Sequence, residues 1–292
     1  MSDALAINVS EWVEQARQDP LRYFERQATE IVLNAIGLAP ALGKTIFLKG
    51  GTLMAVVYQS PRQTADLDFS TSLSPKADVD KTIGEALTET LPQAAARLGY
   101  PGVTLRVQTV TRRPRKDQFA EAGFPALQIK VGYARRGTYQ EVALQKGQCA
   151  NVISLDISFN EPIINVEPVH LGADGVSICV YSLADLIAEK LRGLLQQPIR
   201  NRYRRQDIYD IALLLKKFEF SDDDRQTILN SFLEKSRSRD IEPTPDSLDD
   251  PEVIKRASAE WETLALEVSE LPLFAESLDI VRTFYRVLPW PS

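Results

Sequence analysis

The spacing of apolar positions changes character twice along the chain, and those changes mark out its organisation. A helix is predicted over Ser10–Gln18, and Leu21–Ala35 repeats apolar side chains at Phe24, Ala28, Ile31, Val32 and Ala35, the stripe of a helix with one buried face. Thr45–Leu48 is a short apolar run that reads as a buried strand, broken by Gly50 and Gly51 before a helix over Thr52–Gln59. A strand at Ala65–Ser70 and a long helix from Ala77 to Leu98 follow. Three runs rich in β-branched residues then predict strands at Val103–Thr111, Ala126–Ala134 and Val152–Phe159. From Ser182 the pattern is helical to the end. A Ser182–Asp185 capping box precedes a stripe at Leu183, Leu186, Ile187, Leu191 and Leu194. Helices over Tyr203–Phe218 and Asp222–Lys235 come next, then two in the tail separated by Pro272, and the proline-containing Ser236–Pro251 is a loop. The chain of 292 residues exceeds what one core usually organises. The expectation is a mixed α/β lobe over residues 1–181 and an α-helical lobe over 182–292.

Against that frame, the chemistry concentrates in Phe47–Ser70. A strand ending in Gly50-Gly51 and running straight into a helix lets the backbone approach a ligand, and the first amides of a helix attract anions. A tight turn has the same signature. On the next strand Asp66 and Asp68 alternate with Leu67 and Phe69, so both carboxylates project from one face. Like charges so close favour a cation between them, and hard oxygens with no His or Cys nearby point to Mg²⁺ or Mn²⁺. A solvated edge strand is the alternative. Asp156, an acid in the middle of an apolar strand, needs a partner if buried and is the candidate third carboxylate. Arg62 lies four residues before Asp66, placed to pair with those carboxylates or to reach a phosphate. Lys190 interrupts the apolar stripe midway between Leu186 and Leu194, so its ammonium either snorkels to water or meets an anion. Asp207, on one helix face with Tyr203 and Ile211, is placed to orient Lys190 or Arg202, or to approach a reacting hydroxyl.

The KGGT at Lys49–Thr52, the R-x-T-x-DLDF at Arg62–Phe69 and the later EKLRGLLQ and R-x-DIYDI runs resemble the AbiEii/AbiGii-type nucleotidyltransferase toxins, which include the MenT toxins of mycobacteria. The resemblance spans Lys49 to Ile211. It implies an α+β, DNA polymerase β-like nucleotidyltransferase fold and transfer of a nucleoside monophosphate from an NTP, in family members to the 3′ end of tRNA, which blocks translation. It places metal ligands at Asp66 and Asp68, the glycine motif at Gly50 and Gly51 with the Thr52 hydroxyl at the helix start, the motif lysine at Lys190 and a later aspartate at Asp207. It also implies a cognate AbiEi-like antitoxin, in growth control or abortive infection. Two other readings fit the same residues: nucleotidylylation of a protein or of the chain itself, and a non-catalytic NTP-binding protein.

Composition bounds these expectations without choosing among them. The chain is 44% hydrophobic and 25% charged, as an ordinary globular protein is. Two cysteines, Cys149 and Cys179, cannot build a disulfide framework, and the one histidine, His170, has no nucleophile motif beside it and reads as structural. No signal-like or membrane-spanning pattern is present, so a cytoplasmic protein is expected; it is also expected to be a monomer. The net charge of −6 argues against a nucleic-acid partner only until it is divided by position. Arg106–Arg205 holds 15 basic and 9 acidic residues, whereas Arg237–Ser292 holds 6 basic and 12 acidic. Arg112, Arg113, Arg115 and Lys116, then Arg135 and Arg136, then the Arg200–Arg205 run with Tyr203 are the basic clusters, and together they suit an RNA strand.

Overall fold

In the computed structural model, which describes residues 5–64, 66–76, 78–172 and 176–291, the alternating pattern of the middle of the chain becomes one mixed sheet. Its strands are β1 (Leu5–Ile7), β2 (Ile46–Lys49), β3 (Asp66–Thr71), β4 (Val103–Arg113), β5 (Ala126–Arg135), β6 (Val152–Ser158), β7 (Val166–Leu171) and β8 (Ser177–Tyr181), in the order β1-β7-β8-β2-β3-β6-β5-β4. β3 is antiparallel to β2 and parallel to β6, and β5 is antiparallel to both β6 and β4. The helices of this part are α1 (Val9–Glu14), α2 (Pro20–Leu38), α3 (Gly50–Val56), α4 (Val79–Arg97) and α5 (Tyr139–Gln145). Ala65 and Ala77, the expected first residues of β3 and α4, lie outside the described residues.

Period-two alternation sorts the sheet into two unlike faces. Leu67 and Phe69, Leu127, Ile129 and Val131, and Ile153, Leu155 and Ile157 are all buried. α4 packs on β4, α2 packs on α4 and touches β6, and Ile31, Ile36, Ile83 and Leu87 of these two helices are buried. α2 begins sharply because Asp19 accepts from the Leu21 and Arg22 amides, both at 3.1 Å, with Pro20 at the first helical position. The residues between those buried ones, Asp66, Asp68, Gln128, Lys130, Ser154 and Asp156 among them, are exposed or half-buried.

The helical part comprises α6 (Leu183–Leu195), α7 (Gln197–Arg200), α8 (Arg205–Lys217), α9 (Asp222–Arg237), α10 (Pro251–Ser258) and α11 (Phe274–Arg286). Ser182 caps α6 by accepting from the Asp185 amide at 3.2 Å, but the expected reciprocal half of the capping box is absent. Asp185 instead turns inward, fully buried, to pair with Lys235 at 3.1 Å and accept from the Ile164 amide at 3.2 Å. Phe232, Tyr285 and Trp290 pack edge to face with ring centres 5.0–6.2 Å apart.

Two compact units result. One comprises residues 1–57, 64–161 and 166–180, and the other residues 58–63, 162–165 and 181–292. The second therefore takes in two short segments from the first half of the chain. Among the described residues no helix is long and apolar enough to cross a membrane.

Because Leu155 is fully buried on a central strand, Leu155→Ala is expected to cost about 2–5 kcal/mol in urea unfolding.

Candidate active site

Strand register builds the acidic face. β3 and β6 run parallel with Asp66 opposite Ser154 and Asp68 opposite Asp156, so all three carboxylates share one face and two of them lie abreast. The row continues through Lys49 of β2, opposite Asp68, and Gln128 of β5, opposite Asp156. Burial pushes the Asp156 carboxyl above the usual carboxylate range. The Arg113 charge and a hydrogen bond with Gln128 pull it back, and the charge of Asp66 adds to the push. At the end of the row Lys49 pairs with Glu161, which also accepts from the Ser70 hydroxyl at 2.7 Å.

Gly50 is what allows β2 to turn into α3 beside this row. Its φ of +70° is in the left-handed region, and a Cβ there would stand 2.9 Å from the Cβ of Asp68. The glycine thus serves the carboxylate directly. Gly51 is buried in the first turn of α3. Thr52 is also buried, and its hydroxyl donates to the Asp66 carbonyl at 2.9 Å, so it ties α3 to the start of β3 instead of being presented to a ligand as expected.

A different kind of site occupies the helical unit. Lys190, buried on α6, donates to Asp207 at 3.1 Å and to Asp210 at 2.6 Å, both on α8. Its anions are thus carboxylates of its own chain. Asp207 accordingly orients Lys190, with Arg204 3.8 Å away on its other oxygen. Asp210 is fully buried and also takes both ends of the Arg62 guanidinium, each at 3.1 Å. The remaining Arg62 nitrogen reaches Glu267 at 3.2 Å. Arg62 was expected at Asp66 and Asp68 or at a phosphate. Its partners are Asp210 and Glu267, because residues 58–63 belong to the helical unit. Burial alone would raise the Asp210 carboxyl and lower the Lys190 ammonium. The opposite charges outweigh it, holding Asp210 below the usual carboxylate range and Lys190 above the usual amine range. Asp210 was missed in the sequence, although its three-residue spacing from Asp207 puts both on one helix face.

The remaining candidates are dispersed. Arg112 pairs with Asp80 of α4, Arg113 donates to Gln128 at 2.6 Å, and Arg135 stacks over Phe24 at 4.3 Å. His170 sits on β7 opposite Ala6, and both cysteines are free thiols.

Comparison with known proteins bears directly on these features. A family model described as the nucleotidyl transferase AbiEii toxin of type IV toxin–antitoxin systems matches residues 32–280. The chain belongs to the AbiEii nucleotidyltransferase toxin family. The AbiEii assignment makes it a nucleotidyltransferase and implies a cognate antitoxin. In structure it is similar to the MenT4 nucleotidyltransferase toxin of Mycobacterium tuberculosis H37Rv, with 17% identity, a TM-score of 0.58, and coverage of 97% of this chain and 89% of that one. A nucleotidyltransferase from H. pylori aligns with 13% identity and a TM-score of 0.50, covering 94% and 95% of the two chains. These likenesses give the AbiEii chain the polymerase β-like fold. No curated protein matches the sequence significantly.

Two outcomes test the geometry. Gly50→Ala is expected to lower stability by about 1–3 kcal/mol in urea unfolding and to cut nucleotidyl transfer further than that loss explains. The Lys190–Asp210–Arg62 network contributes fully above about pH 4 and below about pH 10. It is lost as pH falls through the depressed pKa of Asp210, or rises through the raised pKa of Lys190. Asp210→Asn is expected to cost about 3–5 kcal/mol at neutral pH and to flatten the acid limb of a stability–pH curve.

Proposed function

We propose that this AbiEii-family enzyme transfers the nucleoside monophosphate of an NTP to the 3′-hydroxyl of tRNA in a divalent-metal-dependent reaction, and so blocks translation. The observation that carries the reading is the carboxylate row: Asp68 abreast of Asp156, Asp66 two residues along the same face, and Gly50 pressed against Asp68.

The donor set suits a hard cation. It is all oxygen, and Asp156 is a carboxylate whose ionisation burial opposes and a cation would favour. Among the described residues no three or more His, Cys, Asp or Glu side chains are gathered closely enough to hold an ion by themselves. Mg²⁺ binds through one or two carboxylates and completes its shell with substrate phosphates and water. Asp66, Asp68 and Asp156 are the carboxylates from which Mg²⁺ or Mn²⁺ would draw its one or two protein ligands, and the ion would supply positive charge at the reacting phosphate.

In the reaction the acceptor oxygen bonds to the α-phosphorus as the bond to the pyrophosphate bridging oxygen breaks, and the hydroxyl proton is released. No side-chain nucleophile is consumed. Lys190 and Asp207 belong to this reading through the resemblance of the EKLRGLLQ and R-x-DIYDI runs to the family. Asp207 and Asp210 keep the Lys190 ammonium charged, as a group countering the negative charge of an NTP must be. Arg62 holds Asp210 and so supports Lys190. An RNA acceptor is favoured over a protein by the basic excess of Arg106–Arg205.

Incubation with each α-labelled NTP and total tRNA is expected to label tRNA in the wild type. Labelling should fall roughly 100-fold or more in Asp68→Ala, vanish with a chelator and return with added Mg²⁺. Equal labelling by wild type and Asp68→Ala would refute the assignment, and label on protein alone would move the acceptor from RNA to protein.

A further inference from the structure

The face that carries the carboxylate row does not end at Asp156, and its continuation has a different charge. Register extends it over two more strands of the same compact unit. Asp66 and Ser154 continue to Lys130 and Thr109. Asp68 and Asp156 continue to Gln128 and Thr111, and Ser158 continues to Ala126 and Arg113. With strands about 4.8 Å apart, Lys130 stands about 10 Å from the Asp66 strand and Arg113 about 14 Å from it.

Lys130, Arg113, Thr109 and Thr111 are all exposed. The residues between them on β4 point the other way, since Arg112 pairs with Asp80 of α4 and Val110 lines the groove beside that helix. Lys130 has no ion-pair partner among the described residues. Arg113 spends one donor on Gln128 at 2.6 Å, which fixes the guanidinium over the face with its other donors free of that contact. The surface is therefore acidic at β3 and β6 and basic at β5 and β4, with hydroxyl and amide groups between.

We propose that the part of the β4–β5 face left open beside α5, from Lys130 and Thr109 to Arg113, is where the single-stranded 3′ end of an RNA acceptor lies, with Lys130 and Arg113 as its phosphate contacts. The inference rests on the transferase reading above and adds the surface that reading lacks. A terminal hydroxyl at the carboxylates leaves the preceding phosphates to run outward along the sheet, where the two cations stand. Thr109, Thr111 and Gln128 supply donors and acceptors for sugar and base edges. A protein acceptor fits this face poorly, because protein interfaces centre on aromatic and apolar side chains with few charges, and the patch has the reverse composition.

The test measures RNA affinity without NTP, by fluorescence anisotropy of a labelled single strand of about 12 nucleotides with a free 3′-hydroxyl, over a range of salt. Lys130→Glu and Arg113→Glu are each expected to weaken binding several-fold at low salt and to reduce the slope of log K against log salt by about 0.7. Lys130→Arg should bind as the wild type does. Thermal melting followed by circular dichroism confirms that the variants are folded. Unchanged affinity and slope in both charge reversals would overturn the proposal, as would loss of affinity for a fluorescent NTP in place of RNA. Label transfer is scored in parallel. RNA labelled by variants that bind it normally removes the surface and leaves the transferase, whereas weakened binding in the variants with no RNA labelled by the wild type does the reverse.

Discussion

The parallel pairing of β3 with β6 is the constraint on which the acidic face depends. Carboxylates placed on one face by backbone hydrogen bonds cannot separate without breaking the ladder, so the charge of Asp66 that opposes ionisation of Asp156 is built into the sheet. What tolerates this arrangement is the other face of the same strands. Leu67, Phe69, Leu155 and Ile157 are buried under the helices, and a one-residue slip that parted the acids would bring those side chains to water. Hydrophobic burial on one side thus fixes a row of carboxylates on the other, and a surface so prepared favours cations.

The helical unit solves a different problem with the same residue types. Lys190 and Asp210 are both buried, and each makes the other tolerable. Removing a partner leaves an uncompensated charge, whereas in the complete set, with Asp207 and Glu267, all three Arg62 nitrogens and the Lys190 ammonium donate to carboxylates. Such a network gives little net stability but holds one ammonium in one place and one protonation state.

Much of this was legible in the sequence where the signal is local. Period-two spacing exposed Asp66 and Asp68, and an acid within an apolar strand exposed Asp156. Their register was not legible, because β3 and β6 are neighbours in the sheet while β4 and β5 lie between them in the chain. β7 escaped notice because Pro168 interrupts its apolar run, and proline argues against a strand except near an edge. Asp185 read as a cap and proved to be a buried ion-pair partner of Lys235, a contact across 50 residues of chain. The destination of Arg62 was equally hidden, since its carboxylates lie 148 and 205 residues away.

The route of the chain through its two units carries one more consequence. Residues 58–63 leave the sheet-bearing unit, contribute Arg62 to the helical one and return. A fragment beginning at residue 181 would therefore contain Asp210 and Lys190 but not the guanidinium that balances the second half of that carboxylate. The helical unit is not a module that can be cut out or transplanted at one junction. During synthesis its last piece of charge is made first, waiting through more than a hundred residues until α8 brings the acid that needs it.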